Sequence, residues 1–153
     1  MFVESRTILA IDQDPGTRIL LEITLNAEGY QTTVVGDPDT AFELLDQWFP
    51  AIVLFDEETF GPTVVDFVAH AKSMEPRPDL ILVSRRVEAP TMASRLGIQR
   101  SLVKPFDPTR LFKLVTECPR FTAGGTQIIP AVARRGSSPA KNIKRLGNGL
   151  GLS

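Results

Sequence analysis

Cysteine, histidine, tryptophan and tyrosine each occur once in 153 residues. A lone thiol, Cys118, closes no internal disulfide, which fits a reducing compartment and makes it a small apolar residue of the last helix. The lone histidine, His70, has no metal-ligating residue beside it and reads as surface. No apolar stretch is long enough to span a bilayer. Residues 1–6 lack the basic start and apolar core of a secretory signal, so a cytoplasmic setting is expected. The net charge of −1 gives no overall pull toward nucleic acid or membrane. A glycine fingerprint is missing too: Asp12-Gln13-Asp14-Pro15-Gly16 lacks the G-x-G-x-x-G spacing of dinucleotide sites. Beyond Phe121 acids are absent, while Arg134, Arg135, Lys141, Lys144 and Arg145 stand among Gly, Pro and Ser. The expectation is one folded domain over 1–120 and a disordered basic tail or linker over 121–153. Nucleic acid enters only as a third reading, through those five cations.

What the chain does have is short apolar runs separated by capped helices. Residues 7–11 are mostly apolar, as a strand buried on both faces requires. Asp14-Pro15 caps and opens a helix that Gly29 ends. Strands are predicted over 31–35, 51–55, 79–83 and 100–103. Helices follow: one from Asp37-Pro38 to before Pro50, one from Gly61-Pro62 to before Pro76, a short one over 89–96, and one from Asp107-Pro108 to before Pro119. Ala41, Leu44, Leu45 and Trp48 share one helical face, and Val64, Phe67, Val68, Ala71 and Met74 another. Trp48 and Phe49 read as packing. Five alternating strands and five helices predict an α/β fold with a doubly wound parallel sheet. The flavodoxin-like order 2-1-3-4-5 fits, with helices on both faces.

In such a sheet the segments leaving the carboxyl ends of neighbouring strands converge on one crevice. Asp12 ends the first run, Asp56 the third and Lys104-Pro105 the fifth, while Ser84 follows the fourth. A carboxylate can attack a phosphoryl donor if positive charge offsets the approach of two anions. An ammonium supplies part of that charge, and Mg²⁺ suits carboxylate and phosphate oxygens. Asp14 fits a helix cap better than a site.

Ile8-Leu9-Ala10-Ile11-Asp12-Gln13-Asp14-Pro15, Ala51-Ile52-Val53-Leu54-Phe55-Asp56, Ser84 and Lys104-Pro105-Phe106 together resemble a response-regulator receiver domain of two-component signalling. The likeness covers about residues 6–118. It implies that Asp56 is the phosphoacceptor, Ser84 the switch hydroxyl and Lys104 the contact to the phosphoryl group. It also implies a Mg²⁺ site from Asp12, Asp56, the backbone carbonyl of Glu58 and, weakly, Gln13 in place of an acid. The partners it implies are a histidine kinase or phosphotransfer protein and a downstream protein. The role is that of a signalling module rather than an enzyme.

Several positions depart from that pattern. The family usually has two adjacent acids where this chain has Asp12-Gln13, which weakens the metal site by one charge. Arg85 follows the switch hydroxyl where a small residue is usual; its guanidinium either blocks the phosphodonor or lends charge to the pocket. Ser101 stands in place of an aromatic residue that moves with the switch. Thr59-Phe60-Gly61 replaces Met-Pro-Gly, and Glu57 and Glu58 add acid that could restore cation affinity. Gln13, Arg85 and Ser101 support the alternative, a phosphorylation-independent pseudo-receiver that acts as a protein interaction module.

Overall fold

The computed structural model describes residues 6–119; the basic tail predicted over 121–153 lies outside the described residues. Among the described residues twelve elements follow one another. They are β1 (Thr7–Ile11), α1 (Pro15–Ala27), β2 (Gln31–Val35), α2 (Pro38–Trp48), β3 (Ile52–Phe55), the single turn α3 (Glu57–Phe60), a 3₁₀ turn (Gly61–Thr63), α4 (Val64–Ser73), β4 (Asp79–Ser84), α5 (Ala89–Arg95), β5 (Arg100–Val103) and α6 (Pro108–Thr116). The sheet is parallel throughout, in the expected order β2-β1-β3-β4-β5. No helix among the described residues is long and apolar enough to cross a membrane.

Strand periodicity divides the core in two. Leu9, Ile11, Val53, Phe55 and Leu82 face one side and pack with Leu44 and Trp48 of α2, Phe67 of α4 and Ala93 of α5. Ile8, Ala10, Leu54, Ile81 and Val83 face the other and pack with Leu21 and Leu25 of α1, Leu111 and Val115 of α6, and Cys118. Burial pushes the Cys118 thiol up to about 12, so the cysteine is held as a neutral apolar group.

Two boundaries correct the sequence reading. The third predicted helix begins at Val64, not Gly61, because an additional turn, α3, and a 3₁₀ turn precede it. Ser84 is the last residue of β4 rather than the first beyond it, with its backbone paired opposite Val103. The extra turn exists because Phe60 is anchored. Its ring centroid lies 4.4 Å from that of Phe67 and 6.1 Å from that of Phe55. Phe42 completes the cluster with an edge-on contact to Phe67 at 5.2 Å.

Candidate functional site

Register brings the two acids together. Ile11 pairs with Phe55 across β1 and β3, so the next residues, Asp12 and Asp56, leave the sheet side by side. The ladder runs through both: the Asp56 N–H donates to the Ile11 carbonyl and the Asp12 N–H to the Val35 carbonyl, each at 3.0 Å. Lys104 arrives from β5, held by its own N–H donating to the Ser84 carbonyl at 2.7 Å. Its Nζ lies 2.5 Å from Asp12 Oδ2 and 3.9 Å from Asp56 Oδ1. The structure therefore unites Asp12, Asp56 and Lys104, as expected.

Asp12 and Asp56 are 1% and 2% exposed. Both oxygens of Asp12 are engaged, Oδ2 by Lys104 and Oδ1 by the Asp14 N–H at 2.9 Å. The Asp12 carbonyl accepts from Arg18 Nη1 at 2.8 Å. That guanidinium crosses Gly36 so closely that a Cβ there would overlap it. Asp56 is different: Oδ2 accepts from Thr59 Oγ1 at 3.0 Å, while Oδ1 is buried with no hydrogen-bond partner. Burial holds the Asp56 carboxyl above the ordinary carboxylate range; Asp12 and Glu57 push the same way, Lys104 and the Thr59 hydroxyl against it.

Thr59 was not foreseen as a site residue, although its spacing carried a signal. Asp14-x-x-Thr17 and Asp37-x-x-Thr40 are helix caps in which the Thr hydroxyl and N–H both donate to the Asp carboxylate. Asp56-x-x-Thr59 repeats the spacing. There, however, the Thr59 N–H goes to the Asp56 backbone carbonyl, leaving one carboxylate oxygen without a hydrogen bond. Thr59 Oγ1 also accepts from the Gln13 N–H at 2.8 Å, tying the loop after β1 to Asp56.

No hydrogen bond or ion pair joins the side chain of any other expected residue to Asp12, Asp56 or Lys104. Gln13 is exposed, as are Glu58 and Arg85. Ser84 is wholly buried, yet its Oγ donates at 2.9 Å to Glu57 Oε2 and not to Asp56. Arg86 Nε stands 3.7 Å from the same Glu57 oxygen. α3 turns the Glu57 carboxylate, one of the two acids added beside Asp56, toward Ser84 and Arg86. Among the described residues no group of three or more His, Cys, Asp or Glu side chains is placed to hold a metal. Mg²⁺ needs less, since one or two carboxylates with waters and phosphate oxygens suffice. The unpartnered Oδ1 of Asp56 beside Asp12 meets that lower requirement.

A parallel sheet of this order, with two buried carboxylates and a lysine at its carboxyl edge, is the arrangement that the resemblance to receiver domains implies. The chain is similar in sequence and in fold to response-regulator receiver domains. It is 33% identical over 114 residues to an uncharacterized 14.6 kDa protein of the sodA1 3′ region of Leptolyngbya boryana, covering 72% of this chain and 87% of that one. It is 29% identical over 108 residues to the DNA-binding response regulator MtrA of Mycolicibacterium smegmatis, spanning 68% of this chain but only 46% of MtrA. Sporulation initiation phosphotransferase F of Bacillus subtilis matches at 28% over 102 residues, 65% of this chain and 82% of that protein. A response-regulator signal receiver domain from Bermanella marisrubri superimposes with a TM-score of 0.65 over 74% of this chain and 97% of its own, and at 24% identity supports the fold. No protein-family model matches the chain.

Proposed function

We propose that this receiver accepts a phosphoryl group on Asp56 from a histidine kinase or phosphotransfer protein in the cytoplasm, and presents an altered surface to a downstream protein. The observation that carries this reading is the buried Oδ1 of Asp56 beside Asp12, which has no hydrogen bond and faces the Lys104 ammonium 3.9 Å away. In the proposed step an Asp56 oxygen forms a bond to phosphorus as the bond from phosphorus to the donor breaks, and the donor leaves with that electron pair. Lys104 offsets charge on the incoming group, and Thr59 holds the second carboxylate oxygen, which fixes the orientation of the carboxylate. Asp12, Asp56, the Glu58 carbonyl and the Gln13 amide are the groups that would hold Mg²⁺. When bound, the ion neutralises charge between phosphoryl and carboxylate oxygens. Ser84 would serve as the switch hydroxyl.

Intact mass after incubation with acetyl phosphate and Mg²⁺ tests the reading. A single phosphoryl adduct is expected, absent from Asp56→Asn. A folded protein that gains no adduct supports the second reading, a phosphorylation-independent interaction module. Two observations favour that reading: the exposed Gln13 where the family carries an acid, and a Ser84 hydroxyl already engaged without phosphate.

A further inference from the structure

Ser84 has one hydrogen to give, and in this structure Glu57 holds it. The remaining capacity of the hydroxyl is as an acceptor, and it receives the Arg86 N–H at 3.0 Å. The Arg86 carbonyl in turn accepts from the Ala89 N–H at 3.1 Å, where α5 begins. A continuous chain of hydrogen bonds thus runs from Glu57 through Ser84 and Arg86 to the start of α5. Glu57 is only 8% exposed, and its second oxygen, Oε1, is buried without a partner. The carboxylate is therefore secured by one buried hydroxyl and the more distant Arg86 guanidinium.

We infer that Glu57 is a resident competitor for the switch hydroxyl: it occupies Ser84 in the resting protein, and a phosphoryl group on Asp56 engages Ser84 only by displacing Glu57. The competition rests on the phosphoacceptor reading, whereas the resting Glu57–Ser84 contact does not. Both acceptors start from adjacent residues, Asp56 and Glu57, so one short segment offers two anions to a single donor. The phosphoryl group adds further negative charge beside Glu57, which favours its release. Arg86 then loses its carboxylate neighbour, and the loop leading into α5 is free to rearrange. The result is a threshold: the hydroxyl responds to phosphate less readily than it would with an apolar residue at position 57.

Two measurements on the full chain test this. A double-mutant cycle of Glu57→Ala and Ser84→Ala, read by urea unfolding, is expected to be non-additive by about tenfold in the folding constant. The Arg86 amide resonance is expected to move in Glu57→Ala before any phosphodonor is added. Additive energies with an unmoved Arg86 amide would overturn the inference. Should Glu57→Ala fail to fold, Ser84→Ala read through the side-chain carboxyl carbon of Glu57 decides, and an unmoved resonance again overturns it. With acetyl phosphate and Mg²⁺, the Arg86 shift per phosphoryl adduct is expected to be larger in wild type than in Glu57→Ala, where no contact is left to break. Equal shifts overturn the competition. Absence of adduct in both proteins refutes the phosphoacceptor reading and the competition with it, while a non-additive cycle would still uphold the resting contact.

Discussion

Asp56 carries a cost to the fold. Its carboxyl is held above the ordinary value, first by burial, then by the charges of Asp12 and Glu57, against the pull of Lys104 and Thr59. Below pH 3.8, the ordinary value for this group, both the folded and unfolded forms are protonated and Asp56 has no net effect on stability. As pH rises, the unfolded chain releases its proton first, so stability falls until the folded form ionises as well. At neutral pH the charge therefore destabilises the protein. Asp56→Asn, which keeps an acceptor for Thr59, is expected to melt higher than wild type at pH 7, with the gap shrinking as pH falls toward the ordinary carboxylate range. Melting curves across pH check this, and a gap that widens on acidification contradicts it. Asp12, Asp56 and Lys104 could be placed from the sequence because each ends an apolar run and parallel strands bring such ends together. Glu57 and Thr59 could not be placed so readily. Their directions depend on the phase of α3, which the packing of Phe60 against Phe67 sets.

At the scale of elements, a helix here borrows its cap from its neighbour. Lys72 of α4 donates from Nζ to the Leu96 and Gly97 carbonyls at 3.0 and 2.8 Å, closing the end of α5. Gly97 has φ +75°, a conformation open to glycine, and a Cβ there would overlap the Lys72 ammonium. Gly97→Ala is therefore expected to cost about 1–2 kcal/mol. The thermal midpoint should fall by several degrees, and amide exchange should rise in α5 before it rises in β4. An unchanged midpoint would show that the turn accommodates a side chain. Gly97 as the helix end was readable from sequence, as were the five strands, whose β-branched and apolar residues are bounded by turn and helix-cap signals. The cap from Lys72 was not, since it joins residues 24 and 25 positions apart, a relation that only the packed helices create. The late start of α4 has a similar origin. Gly61-Pro62 carries a valid helix-start signal, but the preceding turn and Phe60 anchor consume it as a 3₁₀ segment.

On the scale of the whole molecule, the question is which residues make up the cooperative unit. Both faces of the sheet are covered by helices that lie between residues 15 and 116, and the buried apolar residues of the described chain run from Ile8 to Cys118. The edge strand β2 is set by pairing with β1, and the other edge, β5, by pairing with β4, so every strand finds its partner within this span. We propose residues 1–120 as one folding unit, with 121–153 contributing to binding rather than to the core. A protein cut after Arg120 should unfold in a single transition at the midpoint of the full chain, within about 2 °C, because cooperative stability follows the apolar area withdrawn from water. Its net charge differs in a way that separates folding from binding. The removed segment carries five cations and no acid, so the cut protein has a net charge of −6 in place of −1 (−1 minus 5). An acidic surface or nucleic acid bound only by the full chain, with affinity falling as salt rises, would assign that charge to an interaction. A drop in the melting midpoint on truncation would instead place core contacts beyond residue 120 and break the proposed boundary.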